Sequence, residues 1–558
     1  MRIIDYHDAK ALTIVDKDGR ISNNQILIAG DTGSGKTTMT ERCAYSFYKH
    51  NYTVIFLTEK PNKPLEPSYC MFEPKSKYHL KNLKIQGIKP QTINAKIYTP
   101  FSFEMPKSHK LPPFNLFTIN FRDLKTHHLS LLLEQKSKSD SVRLTEKSIE
   151  RLSDNEGLWN LLLETEQLIN NPKTFIGDIE VTKRGGREDF FLKESFSGKT
   201  NDISNIRSNF DILRKNYFLA PEECKLNLDD EKIKDILRNN KDFHVFTTLY
   251  IENDKLKRLI PIVLLDKFMS VMAKWDTKTD GKLNNVLFVI LEGKIFLPEI
   301  TIEDYIKIAS NIMANRLSTV RASGIGVSTI TETQNLFEFS SQCRESMSFK
   351  ILGKLSSNDL GILSKIEGFN KDTRQRITNL RKGHVMISYE DDSGDIVQEE
   401  MSFLQAPYSH ADEGADISFI ERYSKEYPEN LKNFKEEYEY MENLMEEEIK
   451  IAEQKAKRIK DKENIDIQKR RLAKVKKEEG KEKSDELKST IKELKGKEFE
   501  DMCIKCYMAY SEGNRDGKKA SLNKLAKNFG ISNHTFKKYV FEGERLILQP
   551  MPEVGNTS

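Results

Sequence analysis

The chain has 558 residues, enough for two or more domains, each with a core of its own. Its 89 Lys and Arg nearly cancel 85 Asp and Glu, so the net charge of +4 excludes a globally basic nucleic-acid binder and confines any such surface to a local patch. Six scattered cysteines exclude a disulfide framework, and the most apolar runs, Leu259–Leu265 and Val286–Leu291, fall far short of the ~20 residues of a membrane span, so a cytoplasmic protein without membrane insertion is expected.

The first element is the apolar run Ile26–Gly30, which leads directly into Asp-Thr-Gly-Ser-Gly-Lys-Thr and then a helical pattern. Strand, Gly-x-x-x-x-Gly-Lys-Thr and helix in that order predict a phosphate-binding loop. Its glycines let backbone N–H groups converge on phosphate oxygens, and the helix N-terminus adds partial positive charge. The expected nucleotide contacts are Gly30, Asp31, Thr32, Gly33, Ser34, Gly35, Lys36, Thr37 and Thr38. Lys36 would neutralise the β- and γ-phosphates of ATP, and the Thr37 hydroxyl would bind Mg²⁺.

Further short apolar runs follow at 53–59, 243–251, 285–292, 324–333, 349–355 and 384–389. Continuous apolar strands with helices between them indicate an α/β fold with a largely parallel sheet buried on both faces. The stretch 121–241 interrupts this alternation with apolar residues at helical spacing, as in "NEGLWNLLLETEQLI", and is expected to be a helical insertion. Within it, "KRGGRE" (Lys183–Glu188) reads as a solvated turn.

Hydrolysis needs more than phosphate binding: a carboxylate at the end of a neighbouring strand must hold the magnesium shell and orient the attacking water. Glu292 follows six apolar residues and fits that place, but Leu291 precedes it and Gly293 follows, so only one acid stands where a pair is usual. The strand 324–333 leads into Gln334, whose side chain would sense the γ-phosphate. Upstream, Arg316 and Arg321 lie where an arginine could reach the nucleotide of a neighbouring subunit.

Beyond about residue 410 the composition changes. Residues 411–499 are rich in Glu and Lys without a sustained heptad and are expected to form a charged, mostly helical linker or arm. In 500–558, "SLNKLAKNFGISNHTFKKYV" places Leu522, Leu525 and Ala526 on one helical face, Gly530 at a turn, and Phe536, Tyr539 and Val540 on a second. This spacing predicts a helix-turn-helix, with Asn533, His534, Lys537 and Lys538 outward toward DNA. Cys503 and Cys506, with no second ligand pair nearby, read as buried helix-face thiols.

Taken together, "FVILEGKIFLP", "RASGIGVSTITETQNLFEFSSQCRES" and "ITNLRKGHVMIS", in this order after the phosphate loop, resemble the HerA-like branch of the FtsK/HerA superfamily of DNA-pumping ATPases, over roughly 24–389. The resemblance implies a RecA-like P-loop ATPase domain at 1–410, with Glu292 as catalytic acid, Gln334 as sensor and Arg321 as the finger acting in trans. It also implies a homo-oligomeric, hexameric ring that translocates double-stranded DNA, in packaging, transfer, segregation or end processing, with a nuclease or portal protein as a possible partner. Two other functions are compatible with the same residues: a nucleotide-gated DNA-binding regulator that does not translocate, and an ATPase that moves or remodels protein.

Overall fold

The computed structural model describes residues 25–58, 77–105, 115–135, 139–170, 200–248, 250–293, 326–366, 369–390, 394–408, 428–478, 496, 498–511, 522–529 and 533–548. Two compact units divide the chain, Met1–Ala452 and Glu453–Ser558.

A ten-stranded sheet forms the centre of the first unit. Its strands are β1 (Gln25–Ala29), β2 (Thr53–Thr58), β3 (Ala95–Pro100), β4 (Asn115–Phe117), β7 (Phe243–Thr247), β8 (Val286–Ile290), β9 (Val327–Thr333), β10 (Phe349–Leu352), β11 (His384–Glu390) and β12 (Ile396–Ser402). They lie in the order β12-β11-β10-β1-β9-β8-β2-β7-β3-β4. From β10 to β4 every pairing is parallel, and only β11 and β12 run antiparallel to their neighbours. The expected α/β class with a mostly parallel, RecA-like sheet is therefore present. Strands β1, β2, β7, β8 and β9 are buried along their whole length; β1, β2 and β8 accordingly lack the polar alternation of a one-sided sheet, while β9 buries Ser328, Thr329, Thr331, Glu332 and Thr333.

Between β4 and β7 the described residues form a two-stranded pair, β5 (Ile119–Asn120) with β6 (Leu219–Ala220), and the α-helices α3 (Thr126–Leu133), α4 (Asp140–Arg151), α5 (Leu158–Asn170), α6 (Thr200–Asn216) and α7 (Asp230–Arg238). Ser139 and Asp229 cap α4 and α7 by accepting from backbone N–H groups one turn on. The long helix α8 (Asp254–Ala273) precedes β8 and tolerates Pro261, with both faces largely buried.

The sequence reading begins the charged arm at 411, yet the first unit runs on to Ala452. Helix α12 (Pro428–Glu478) accounts for this, because Tyr438 and Met441 join the main core and Leu444 and Met445 pack against it. The second unit contains a helix over 498–511, then α13 (Leu522–Asn528) and α14 (Asn533–Leu548). Cys506, Ala526 and Phe536 form its small core, so the alanine at the helix crossing and both buried thiols Cys503 and Cys506 sit as their spacing suggests. Among the described residues no helix is long and apolar enough to cross a membrane.

Candidate nucleotide site

The site is built at the C-terminal ends of three adjacent strands. After β1 the chain turns through Asp31–Gly35 into helix α1 (Lys36–Lys49). Ser34 N–H donates to the Asp31 carbonyl at 3.1 Å, and Asp31 N–H donates to the Lys354 carbonyl at 2.8 Å, tying the loop to the segment just beyond β10. Gly35 stands at φ +90°, where a Cβ would also meet the Phe403 ring at 3.3 Å, so glycine is required there on two counts. Thr32 and Gly33 at the loop's tip are exposed, while Lys36 is buried and arches back so that its Nζ donates to the Asp31 carbonyl at 3.0 Å. The arrangement leaves an open crest of backbone with an ammonium at its base, the geometry that receives phosphate oxygens.

Strand β9 lies between the loop strand β1 and the acid strand β8. Its end therefore faces both. Gln334 Nε2 donates to Glu292 Oε1 at 3.2 Å, bringing together two residues that lie 42 positions apart in sequence. Glu292 follows β8 with φ +56°, a left-handed conformation uncommon for a residue with a side chain and typical of functional sites. The glycine after it has a steric reason: a Cβ at Gly293 would lie 2.4 Å from Thr331 Cγ2, so the turn off β8 must pass tightly over β9. The missing second acid is thus partly explained, since position 293 has no room for a side chain and Leu291 is buried in the apolar core.

Asp359 fixes the segment beyond Gln334. Its Oδ1 accepts from Leu336 N–H at 2.7 Å and Phe337 N–H at 3.2 Å, and its Oδ2 accepts from Ser356 Oγ at 2.8 Å. The Arg344 guanidinium donates to the carbonyls of Leu336 and Phe339 from the other side. The turn that follows Gln334 is therefore pinned by the buried Asp359 and Arg344 side chains.

Sequence reasoning passed over Glu332. This residue sits in β9 opposite Ile28 of β1, with only 1% of its surface exposed. Thr37 Oγ1 lies 3.4 Å from its Oε1, and Thr40 Oγ1 donates to its Oε2 at 3.0 Å. The signal was a glutamate inside a strand whose seven residues are all buried, which charge alone makes anomalous.

The remaining expected site residues fall into two groups. Arg316, Arg321 and Lys183–Glu188 lie outside the described residues, as do Cys70 and Ser532. Asn533 begins α14, and His534, Lys537 and Lys538 are exposed along it, with Lys527 exposed on α13. Among the described residues, one further group has metal-ligand spacing: His127, His128 and Asp266, all buried. His128 Nδ1 accepts from Lys125 N–H at 3.0 Å, which leaves its proton on Nε2, the atom a metal would need. The Lys125 ammonium stands 3.3 Å from Asp266 Oδ2, beside His127 Nε2 at 3.0 Å and His128 Nε2 at 3.2 Å. Burial pushes the His128 imidazole down to about 4, so the cluster is a lysine–aspartate pair flanked by a neutral imidazole, joining α3 to α8.

No protein-family model matches the sequence, and no curated protein matches it closely enough to count as a relative. Among solved structures, VirB4 of Thermoanaerobacter pseudethanolicus is similar over 73% of this chain and 96% of its own, at 15% identity and a TM-score of 0.43. The bacterial conjugative coupling protein TrwBdeltaN70 is similar over 69% and 87%, at 13% identity and a TM-score of 0.37. The genome packaging NTPase B204 from Sulfolobus turreted icosahedral virus 2, in complex with AMP, covers 68% of this chain and 98% of its own, at 9% identity and a TM-score of 0.28.

Proposed function

We propose that this chain is an ATPase that hydrolyses ATP to drive double-stranded DNA, working in the cytoplasm as a hexameric ring of identical subunits. The observation that carries the reading is the contact of Gln334 with Glu292, next to a phosphate loop bearing Lys36 and Thr37. A phosphate-binding turn alone would serve a switch. A strand-end carboxylate held by a polar side chain from the intervening strand supplies what hydrolysis adds, a base for water beside a group that feels the γ-phosphate. In this reading Lys36 and the loop Gly30–Thr38 bind the phosphates, Thr37 serves Mg²⁺, Glu292 orients the water, and Arg321 reaches the nucleotide of the adjacent subunit. The donors present suit that ion, since hydroxyl and carboxylate oxygens are the ligands Mg²⁺ takes beside phosphate.

The part concerning DNA is supported by the second unit. Its small core takes Ala526 from α13 and Phe536 from α14, and Lys527, His534, Lys537 and Lys538 lie at the surface. Three lysines and a histidine on adjoining helices suit a phosphate backbone. A nuclease or portal protein would take the moved DNA.

Translocation is tested by displacement of a third-strand oligonucleotide from a duplex. The full-length protein should release it with ATP and Mg²⁺, and Glu292→Gln should not. Hydrolysis stimulated by duplex DNA without any displacement would favour the nucleotide-gated regulator instead.

A further inference from the structure

We propose that Glu332 supplies the magnesium-shell carboxylate that the strand ending at Glu292 lacks, so that the two acids of the site come from two neighbouring strands. The proposal rests on the nucleotide reading above and adds a residue to it.

The acid strand has no other carboxylate to give. Leu291 is fully buried in the apolar core and its N–H is bonded to the Leu57 carbonyl, while Glu292 is turned into the left-handed region and engaged by Gln334. One strand nearer the phosphate loop, about 4.8 Å across the sheet, lies β9. Glu332 there pairs in register with Ile28, the residue before the last of the loop strand. Its side chain reaches the first turn of α1 and meets the hydroxyl of Thr37, the residue that follows the phosphate-binding lysine. Gln334, two positions on, turns instead to Glu292. The end of β9 thus serves both neighbours, the metal side with Glu332 and the water side with Gln334.

Chemistry favours a metal role over a purely structural one. A buried carboxylate carries a desolvation cost that a glutamine or threonine in the same strand would avoid. The carboxylate adds two hard anionic oxygens beside a threonine hydroxyl and a triphosphate-binding turn, the combination Mg²⁺ accepts when it is held by one or two carboxylates and substrate phosphates. Thr40, one turn on, donates to Oε2 and sets the orientation of the group.

The test measures binding of ADP to the full-length protein by calorimetry, with Mg²⁺ and with EDTA, and then replaces Mg²⁺ by Mn²⁺ to read bound metal by electron paramagnetic resonance. Wild-type protein should bind ADP in EDTA and more tightly with Mg²⁺. Glu332→Gln keeps the shape and an acceptor for a threonine hydroxyl. It should match wild type in EDTA and lose about 10–100-fold in metal affinity, the usual cost of removing a group that orients a metal's ligands. A residue that merely held α1 to β9 would lower stability and leave the metal dependence alone. Retention of the full Mg²⁺ gain in folded Glu332→Gln overturns the assignment. If that variant does not fold, Glu332→Asp decides: a carboxylate drawn back by one methylene should weaken Mn²⁺ binding, and unchanged Mn²⁺ affinity overturns the assignment equally. A wild-type chain that binds no ADP would instead overturn the nucleotide reading itself.

Discussion

Two pairs of buried carboxylates in the first unit have different surroundings. At the end of the sheet, Glu292 and Glu332 meet Gln334, Thr37 and Thr40, beside a turn that is itself exposed at Thr32 and Gly33. Among the helices, Asp266 is met by Lys125 with two histidines against it, and Glu448 accepts from the Tyr217 hydroxyl and, at 2.8 Å, from Trp159 N–H. The helical pair are enclosed between helices, where their partners join one helix to another. The sheet-end pair lie beside the exposed turn that leads into α1. Burial of a charge therefore does not mark a site by itself; burial next to an anion-binding turn does.

The sharpest way to break this contrast is Glu292→Gln. Turnover should fall by about 10²–10⁴-fold, the worth of a positioned base, while ATP affinity measured by calorimetry stays near wild type. Unchanged turnover would put Glu292 with the structural acids.

Lys36→Ala should come next in size. Losing a charged hydrogen bond to phosphate costs about 1.5–3 kcal/mol, or roughly 10–150-fold in ATP affinity, with the fold intact by circular dichroism. Undiminished affinity in the folded variant would mean that the loop does not hold phosphate.

The helical region makes its own prediction, in stability rather than activity. Burial, opposed by Tyr217, Trp159 N–H and Arg214, pushes the Glu448 carboxyl from 4.5 up to about 7, with Glu156 adding to the rise. The folded chain then keeps a proton that the unfolded chain releases. Stability from this group is fully present below about pH 4.5 and falls as pH rises toward 7, by up to about 3 kcal/mol. Urea unfolding of wild type and Glu448→Gln at pH 5 and pH 8 should show that difference shrinking in the variant. Equal pH dependence in both would mean that the helix α12 is not held by a protonated acid.

The smallest effect is expected in the second unit. Replacing Lys537 and Lys538 with alanine in the full chain should weaken duplex DNA binding and reduce the salt slope by about 0.9 per lost phosphate contact. An unchanged slope would make these surface lysines ordinary solvated charge.

How much of this could be read from sequence follows from what each feature needs. The phosphate loop was legible because eight neighbouring residues, Gly30–Thr37, carry it, and β1, β2 and β8 because burial on both faces leaves their interiors without polar interruption. The strands β3, β4 and β12 were not, since Lys96 breaks the first, the second has three residues, and the third is a half-exposed edge with Gln398, Glu399 and Glu400 in it. Glu332 was hidden by its strand, because only pairing with β1 reveals that it faces Thr37. The inner face of α12 was hidden by charge: Tyr438, Met441, Met445 and Glu448 recur at helical spacing, but the glutamate in the stripe and its acidic neighbours read as solvated surface.

The central claim is that the sheet-end acids and the phosphate loop form an engine for DNA, and steady-state ATP hydrolysis by the wild-type protein, with and without double-stranded DNA, tests it most directly. Hydrolysis that rises several-fold with duplex DNA, in an Mg²⁺-dependent manner, is the predicted result. Hydrolysis that is absent under both conditions, or indifferent to duplex DNA at low salt, would contradict it.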